Sequence, residues 1–153
     1  MGYRMPRSMS EELDDWDIDL EGFVSSVGDF NLACGYAAAF WPRFEVVGRY
    51  IAPLGYPLSE VEKFERSYGD AKTVERVLNH IHVKDIQHYF AEGATPDKLI
   101  FLGEIMMEML QAKIARQFPD RPCKFEFNRP DDPDDLIEYQ ISFWQAANEG
   151  VAV

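Results

Sequence analysis

The chain has 153 residues, 46% of them hydrophobic and 14% aromatic, with a formal net charge of −12. That is enough apolar material for one domain with a core, which excludes a disordered chain. No apolar run of about 18 residues is present to span a bilayer, and MGYRMPRSMS at the start lacks the apolar stretch of a secretory signal.

Residues 1–22 form an acidic arm that need not be ordered when free. Its centre, EELDDWDIDLEG (residues 11–22), holds seven carboxylates and neither Lys nor Arg, yet also Leu13, Trp16, Ile18 and Leu20. With a period of two, Trp16, Ile18 and Leu20 share a face. With a period of 3.6, Leu13, Trp16, Leu20 and Phe23 form a stripe, and Ser8 with Glu11 could build its capping box. Both readings stay open.

From Phe23 to residue 153 the pattern is that of a single compact domain. Ser26 lies three residues before Asp29, a capping-box spacing. Phe30, Cys34, Ala37, Ala38 and Trp41 then recur at helical intervals up to Pro42. RFEVVGRYIAP, rich in Val, Tyr and Ile and closed by Pro53, predicts a strand. Two short helices follow: one capped by Ser59 with Glu62 and ending at Gly69, the other placing Val74, Val77, Leu78 and Ile81 on one face.

TPDKLIFLGEIMMEMLQAKIARQF predicts the longest helix. Thr95 can cap it, Pro96 suits the first position, and Asp97 complements the dipole. Its apolar arc from Leu99 to Phe118 is wide enough to be packed on more than one side. Met106, Met107 and Met109 read as core filling. CKFEFNR and LIEYQISFWQA then alternate, and RPDDPDD joins them into an antiparallel hairpin. The hairpin and the strand near Val46 predict a small antiparallel sheet of about three strands against several helices: a two-layer α+β domain with helices on one face of the sheet.

Charge is unevenly placed. Residues 1–22 carry seven acids against two bases, and DDPDDLIE (131–138) carries five acids and no base, whereas residues 23–130 carry fourteen acids against thirteen bases. Two concentrated blocks imply local fields directed at a basic protein, with Trp16 as an apolar anchor; the candidate partner-binding residues are Asp14, Asp15, Trp16, Asp17, Ile18, Asp19, Leu20, Asp131, Asp132, Asp134 and Asp135. The same blocks oppose direct nucleic-acid binding.

The three histidines, His80, His82 and His88, cluster with Asp85 in NHIHVKDIQH, the one candidate metal or catalytic group. Helix-end and core-edge roles for these histidines are favoured over ligation. Cys34 and Cys123 have no metal spacing and suit a reducing cytoplasm as two buried small hydrophobes. Dinucleotide, phosphate-loop, nucleophile-elbow and zinc-protease motifs are absent from the sequence, which lowers the case for an enzyme. No cofactor is implied, and the oligomeric state is not legible.

FWPRF, LNHIHVKDI and LIEYQISFWQA, spaced as they are, resemble segments of small bacterial proteins without an assigned activity. The resemblance covers roughly residues 40–145, implies one compact bacterial domain, and carries over no site residue. Taken together, the expectation is a cytoplasmic, non-catalytic acidic protein that binds a basic partner, of the immunity or inhibitor type. A metal-dependent enzyme or sensor and a structural subunit of an assembly are the alternatives.

Overall fold

The computed structural model describes residues 3–87 and 91–153. The fold is α+β. Three helices open the chain: α1 (Arg7–Glu12), α2 (Leu20–Val27) and α3 (Phe30–Phe40). A hairpin of β1 (Phe44–Val47) and β2 (Tyr50–Pro53) follows, then α4 (Leu58–Tyr68), α5 (Ala71–Leu78) and the short β3 (Ile81–His82). The long α6 (Pro96–Gln117) leads to β4 (Cys123–Asn128) and β5 (Gln140–Gln145).

The sheet differs in membership from the one predicted. β3, β5 and β4 make an antiparallel sheet in that order, with β5 central, and β1–β2 is a separate two-stranded hairpin. The single strand expected from RFEVVGRYIAP folds back at Gly48, whose φ of 61° opens a two-residue Gly-Arg turn between Val47 and its partner Tyr50. The β4–β5 pairing occurs as predicted, with Phe125 opposite Phe143 and Phe127 opposite Ile141. Its connection is longer than RPDDPDD, because Leu136–Glu138 is a 3-10 turn rather than strand.

Two apolar cores result. In the larger, α6 sends Leu99, Met106, Leu110 and Ile114 against Phe44, Ile51, Tyr139, Ile141 and Phe143. Gly103 lets α6 approach the sheet closely, since a Cβ built there would overlap the Phe127 ring. In the smaller, Tyr50, Val61, Ala71, Val74 and Leu78 join α4 and α5 to β2. Helices therefore do not keep to one face of the sheet. On the face of β5 opposite α6, Arg76 of α5 donates to Ser142 (3.3 Å) and Lys72 lies 4.5 Å from the Trp144 ring centre.

α5 also closes the open edge of β2. Glu75 and Asn79, one helical turn apart, grip both backbone groups of Ile51: the Glu75 carboxylate accepts from its N–H (2.8 Å) and Asn79 Nδ2 donates to its carbonyl (2.8 Å). Glu75 is completely buried and accepts three further bonds of 2.7 Å, from the Gln145 N–H, Gln145 Nε2 and Asn148 Nδ2. A carboxylate is an acceptor with about four lone-pair sites, so four donors satisfy it.

Several predicted caps are replaced by neighbours. Asp29, not Ser26, caps α3, accepting from the Asn31 and Leu32 amides; Ser26 turns back to the Gly22 carbonyl. Ser59 lies within α4, whose N-cap is Pro57, while Gly69 closes that helix in the left-handed conformation with φ 71°. Thr95 Oγ1 bonds the Asp97 carboxylate (2.6 Å) instead of a backbone amide. The two cysteines are not both buried: Cys34 is exposed on α3 and Cys123 is half-buried on β4.

Candidate functional site

The acidic N-terminal stretch adopts neither of its two regular patterns. Asp14–Trp16 is a 3-10 turn, and Asp17 closes it in the left-handed conformation with φ 43°, which Asp tolerates better than most residues. Asp19 then caps α2, its Oδ1 accepting from the Gly22 amide at 2.8 Å. Asp14, Asp17 and Asp19 are exposed, Ile18 and Leu20 are half-buried, and Trp16 is 48% exposed; the Asp15 side chain lies outside the described residues. α2 runs across position 22, where the sequence placed the start of the compact domain.

This stretch is tied down at the N-terminal end of α6. Ser8 gives its backbone N–H and its hydroxyl to the two oxygens of Asp97, each at 2.8 Å. This places Ser8 inside α1, behind Pro6 as N-cap, rather than at the head of a capping box with Glu11. Glu12 pairs with Lys98 at 2.7 Å, and Tyr3 meets Phe101 edge-on at 6.0 Å. Burial opposes ionisation of Asp97, but hydrogen bonds from Thr95, Ser8 and the Lys98 backbone outweigh it and hold the carboxyl below its usual range.

The second acidic block joins the same half of α6 from the sheet side. Arg129 pairs with Glu104 at 2.6 Å, just before Asp131, Asp132, Asp134 and Asp135, all exposed. Asp132 Oδ1 accepts from the Asp134 amide (3.0 Å) and shapes the turn, while the Tyr139 hydroxyl donates to the Pro133 carbonyl (3.3 Å). Ion pairs among the described residues use Glu11, Glu12, Glu60, Glu104, Glu126 and Glu149, not the aspartates of either block. The charge of both blocks is thus presented to solvent.

His80 and His82 have rings 4.3 Å apart. His80 Nε2 meets Gln140 Oε1 (3.0 Å), and His82 Nδ1 donates to the Ile137 carbonyl (2.6 Å). They work at the edge of the β3–β5 pairing. Asp85 is exposed on the 3-10 turn Val83–Gln87, and His88 lies outside the described residues. Among the described residues, no three His, Cys, Asp or Glu side chains are grouped to hold a metal ion.

Two features were not foreseen. The first is an apolar surface. α3 was expected to pack through Phe30, Cys34, Ala37, Ala38 and Trp41, yet its residues are all half-buried or exposed; Phe30 is 91% and Leu32 55% exposed, next to exposed Val24 and Val27 on α2. Only Phe40 reaches the main core. α3 carries no charge and has apolar residues on every side, so its sequence has no polar stripe to mark the face left bare.

The second is a cavity of about 450 Å³ under the acidic segment, enclosed by α1–α3, the Val83–Gln87 turn and the start of α6. Its wall is mostly apolar, with Leu20, Phe23, Phe40, Ile86, Leu99 and Leu102, and the polar exceptions are Tyr36, Lys84, Gln87 and Lys98. Volume and lining are those of a small-molecule pocket. No local motif encodes it, because its wall is drawn from distant parts of the chain.

No family model matches the chain, and no curated protein or solved structure matches it significantly. No helix among the described residues is long and apolar enough to cross a membrane.

Proposed function

We propose that this chain is a non-catalytic acidic binding protein that docks on a basic protein partner. The class that fits is an immunity-type or inhibitor protein acting in the bacterial cytoplasm on a toxin or a nucleic-acid-binding enzyme. One observation carries the reading: the exposed aspartates of the two blocks, Asp14, Asp17 and Asp19 with Asp131, Asp132, Asp134 and Asp135, lie outside the ion pairs among the described residues, while a neighbour of each block, Glu12 and Arg129, pairs with the first half of α6. Uncompensated carboxylates steer a basic surface during encounter, and half-exposed Trp16 beside them supplies the aromatic anchor that slows dissociation.

The test is affinity capture from the source organism with the intact chain and with Asp14, Asp17 and Asp19 changed to Asn. A basic protein should be held by the first and released by the second, and its association rate should lose its dependence on these residues near 1 M salt, where the Debye length is about 3 Å. Equal capture of the same partner by both proteins at low salt would refute the reading. Point changes are preferable to deleting residues 1–22, which would also strip the Ser8–Asp97 bonds. A second reading, a structural subunit of a larger assembly, is favoured by the exposed apolar side chains Val24 and Val27 on α2 and Phe30 and Leu32 on α3, two helices consecutive in the chain.

A further inference from the structure

We infer that the cavity beneath the acidic segment is a binding site for a medium-chain aliphatic monocarboxylate, with its chain among the apolar side chains and its carboxylate at Lys84. The inference is independent of the basic partner. Its first support is charge selection. The chain has 27 acidic and 15 basic side chains, yet among the described residues the cavity wall includes two lysines and neither aspartate nor glutamate. An apolar cavity with a cationic group at one of its polar points selects an amphipathic anion and rejects an amphipathic cation.

The second support is how the polar groups are arranged. Lys84 and Gln87 are three residues apart in the 3-10 turn Val83–Gln87, where three residues complete one turn, so they stand on one face. Gln87 Nε2 donates to the Tyr36 hydroxyl across the cavity, which leaves the phenol its own proton to give to an incoming oxygen. Lys98 is already engaged by Glu12 (2.7 Å) and by the Gly93 carbonyl (3.0 Å), which assigns the discriminating charge to Lys84. One ammonium and one hydroxyl suit a single carboxylate, and a mostly apolar cavity of about 450 Å³ in all has room for a medium-length aliphatic chain.

Calorimetric titration of the full chain with octanoate, decanoate and dodecanoate, all below micelle formation, tests this, with decanol and decyltrimethylammonium as neutral and cationic probes. One carboxylate should bind per chain, about four-fold tighter for each added methylene until the cavity is full. Decanol should bind at least about ten-fold more weakly than decanoate, the loss of one charge-assisted hydrogen bond, and the ammonium more weakly still. Lys84→Met should lower decanoate affinity about ten-fold and leave decanol unchanged, and Leu102→Trp should remove binding of both while the chain stays folded. If Leu102→Trp does not fold, the Lys84 variant and the ligand series decide alone. Equal affinity for the three head groups, no dependence on chain length, or several ligands per chain, as adsorption to the bare α2–α3 surface would produce, overturns the site.

Discussion

Glu75→Gln is the substitution that discriminates most sharply how this fold is held together. Glu75 Oε1 accepts from the Ile51 N–H and Gln145 Nε2, and Oε2 from the Gln145 N–H and Asn148 Nδ2, all between 2.7 and 2.8 Å in a fully buried setting. Glutamine has the same shape but only one acceptor oxygen. Two donors would then face an NH₂ group at hydrogen-bond distance. Leaving a buried donor unsatisfied costs about 1–3 kcal/mol, so two cost about 2–6 kcal/mol. Removing a buried charge recovers part of its desolvation, which brings the expected loss to about 2–4 kcal/mol. Glu75→Ala orphans all four donors and should cost more. Against a total stability of about 5–15 kcal/mol either change is large. Urea unfolding followed by circular dichroism measures the loss, and amide exchange locates it: the Ile51 and Gln145 amides should lose protection in the Gln variant before the α6 amides do. A Glu75→Gln protein within about 1 kcal/mol of the parent would show that side-chain shape, not the four-acceptor carboxylate, holds β2, β5 and α5 together, and the reasoning would fail.

Four further outcomes are expected. Trp16→Ala should speed dissociation from a captured basic partner by about 2 kcal/mol while leaving the melting temperature of the free chain nearly unchanged, because the indole is half exposed; surface-binding kinetics beside a thermal melt checks both. Gly103→Ala should lower stability by up to about 2 kcal/mol in chemical denaturation, overpacking against Phe127 outweighing the better helix propensity of Ala. Iodoacetamide at pH 8 should label exposed Cys34 and spare Cys123, whose thiol is pushed up to about 12 by burial, with Glu75 nearby adding to the shift; both should react in denaturant, as mass spectrometry will show. Docking of α1 should weaken in acid. The Asp97 carboxyl is depressed in the fold, so its contribution is present above the unfolded value of about 3.9 and is lost progressively as pH falls below it; the protection of the residue 8–12 amides, taken relative to their intrinsic exchange rates, should fall between about pH 4 and about pH 2, and Asp97→Asn should remove that dependence.

Much of the fold was legible. α6 carries its own start signal in Thr95, Pro96 and Asp97 and a long apolar arc, and the alternation of Cys123, Phe125 and Phe127 marks β4. The turn at Gly48 was missed, because Gly-Arg between EVV and YIA, which fits a two-residue hairpin, sits within an otherwise uniform strand-like run that reads as one strand. β3 was not readable: two residues carry no period, and only pairing with β5 makes Ile81 and His82 a strand. Within the candidate site, the aspartates and Trp16 were visible as composition. The Ser8–Asp97 tether, the Glu12–Lys98 pair and the cavity each join residues from separate parts of the chain.

Sequence alone determined the types of the longer elements, the class α+β and the two acidic blocks, because propensity and period are relations among near neighbours and charge is a sum. Tertiary structure alone decided which of those features are spent inside the molecule. Glu75, flanked by Thr73, Val74 and Arg76, has the sequence signature of a surface helix residue, yet lies fully buried because β2 and β5 bring four donors to it. Phe30 has the signature of a core residue, yet is bare because the helix that carries it reaches the core only through Phe40. Burial and charge compensation depend on which distant segment arrives opposite a side chain, and that is settled only when all elements pack together.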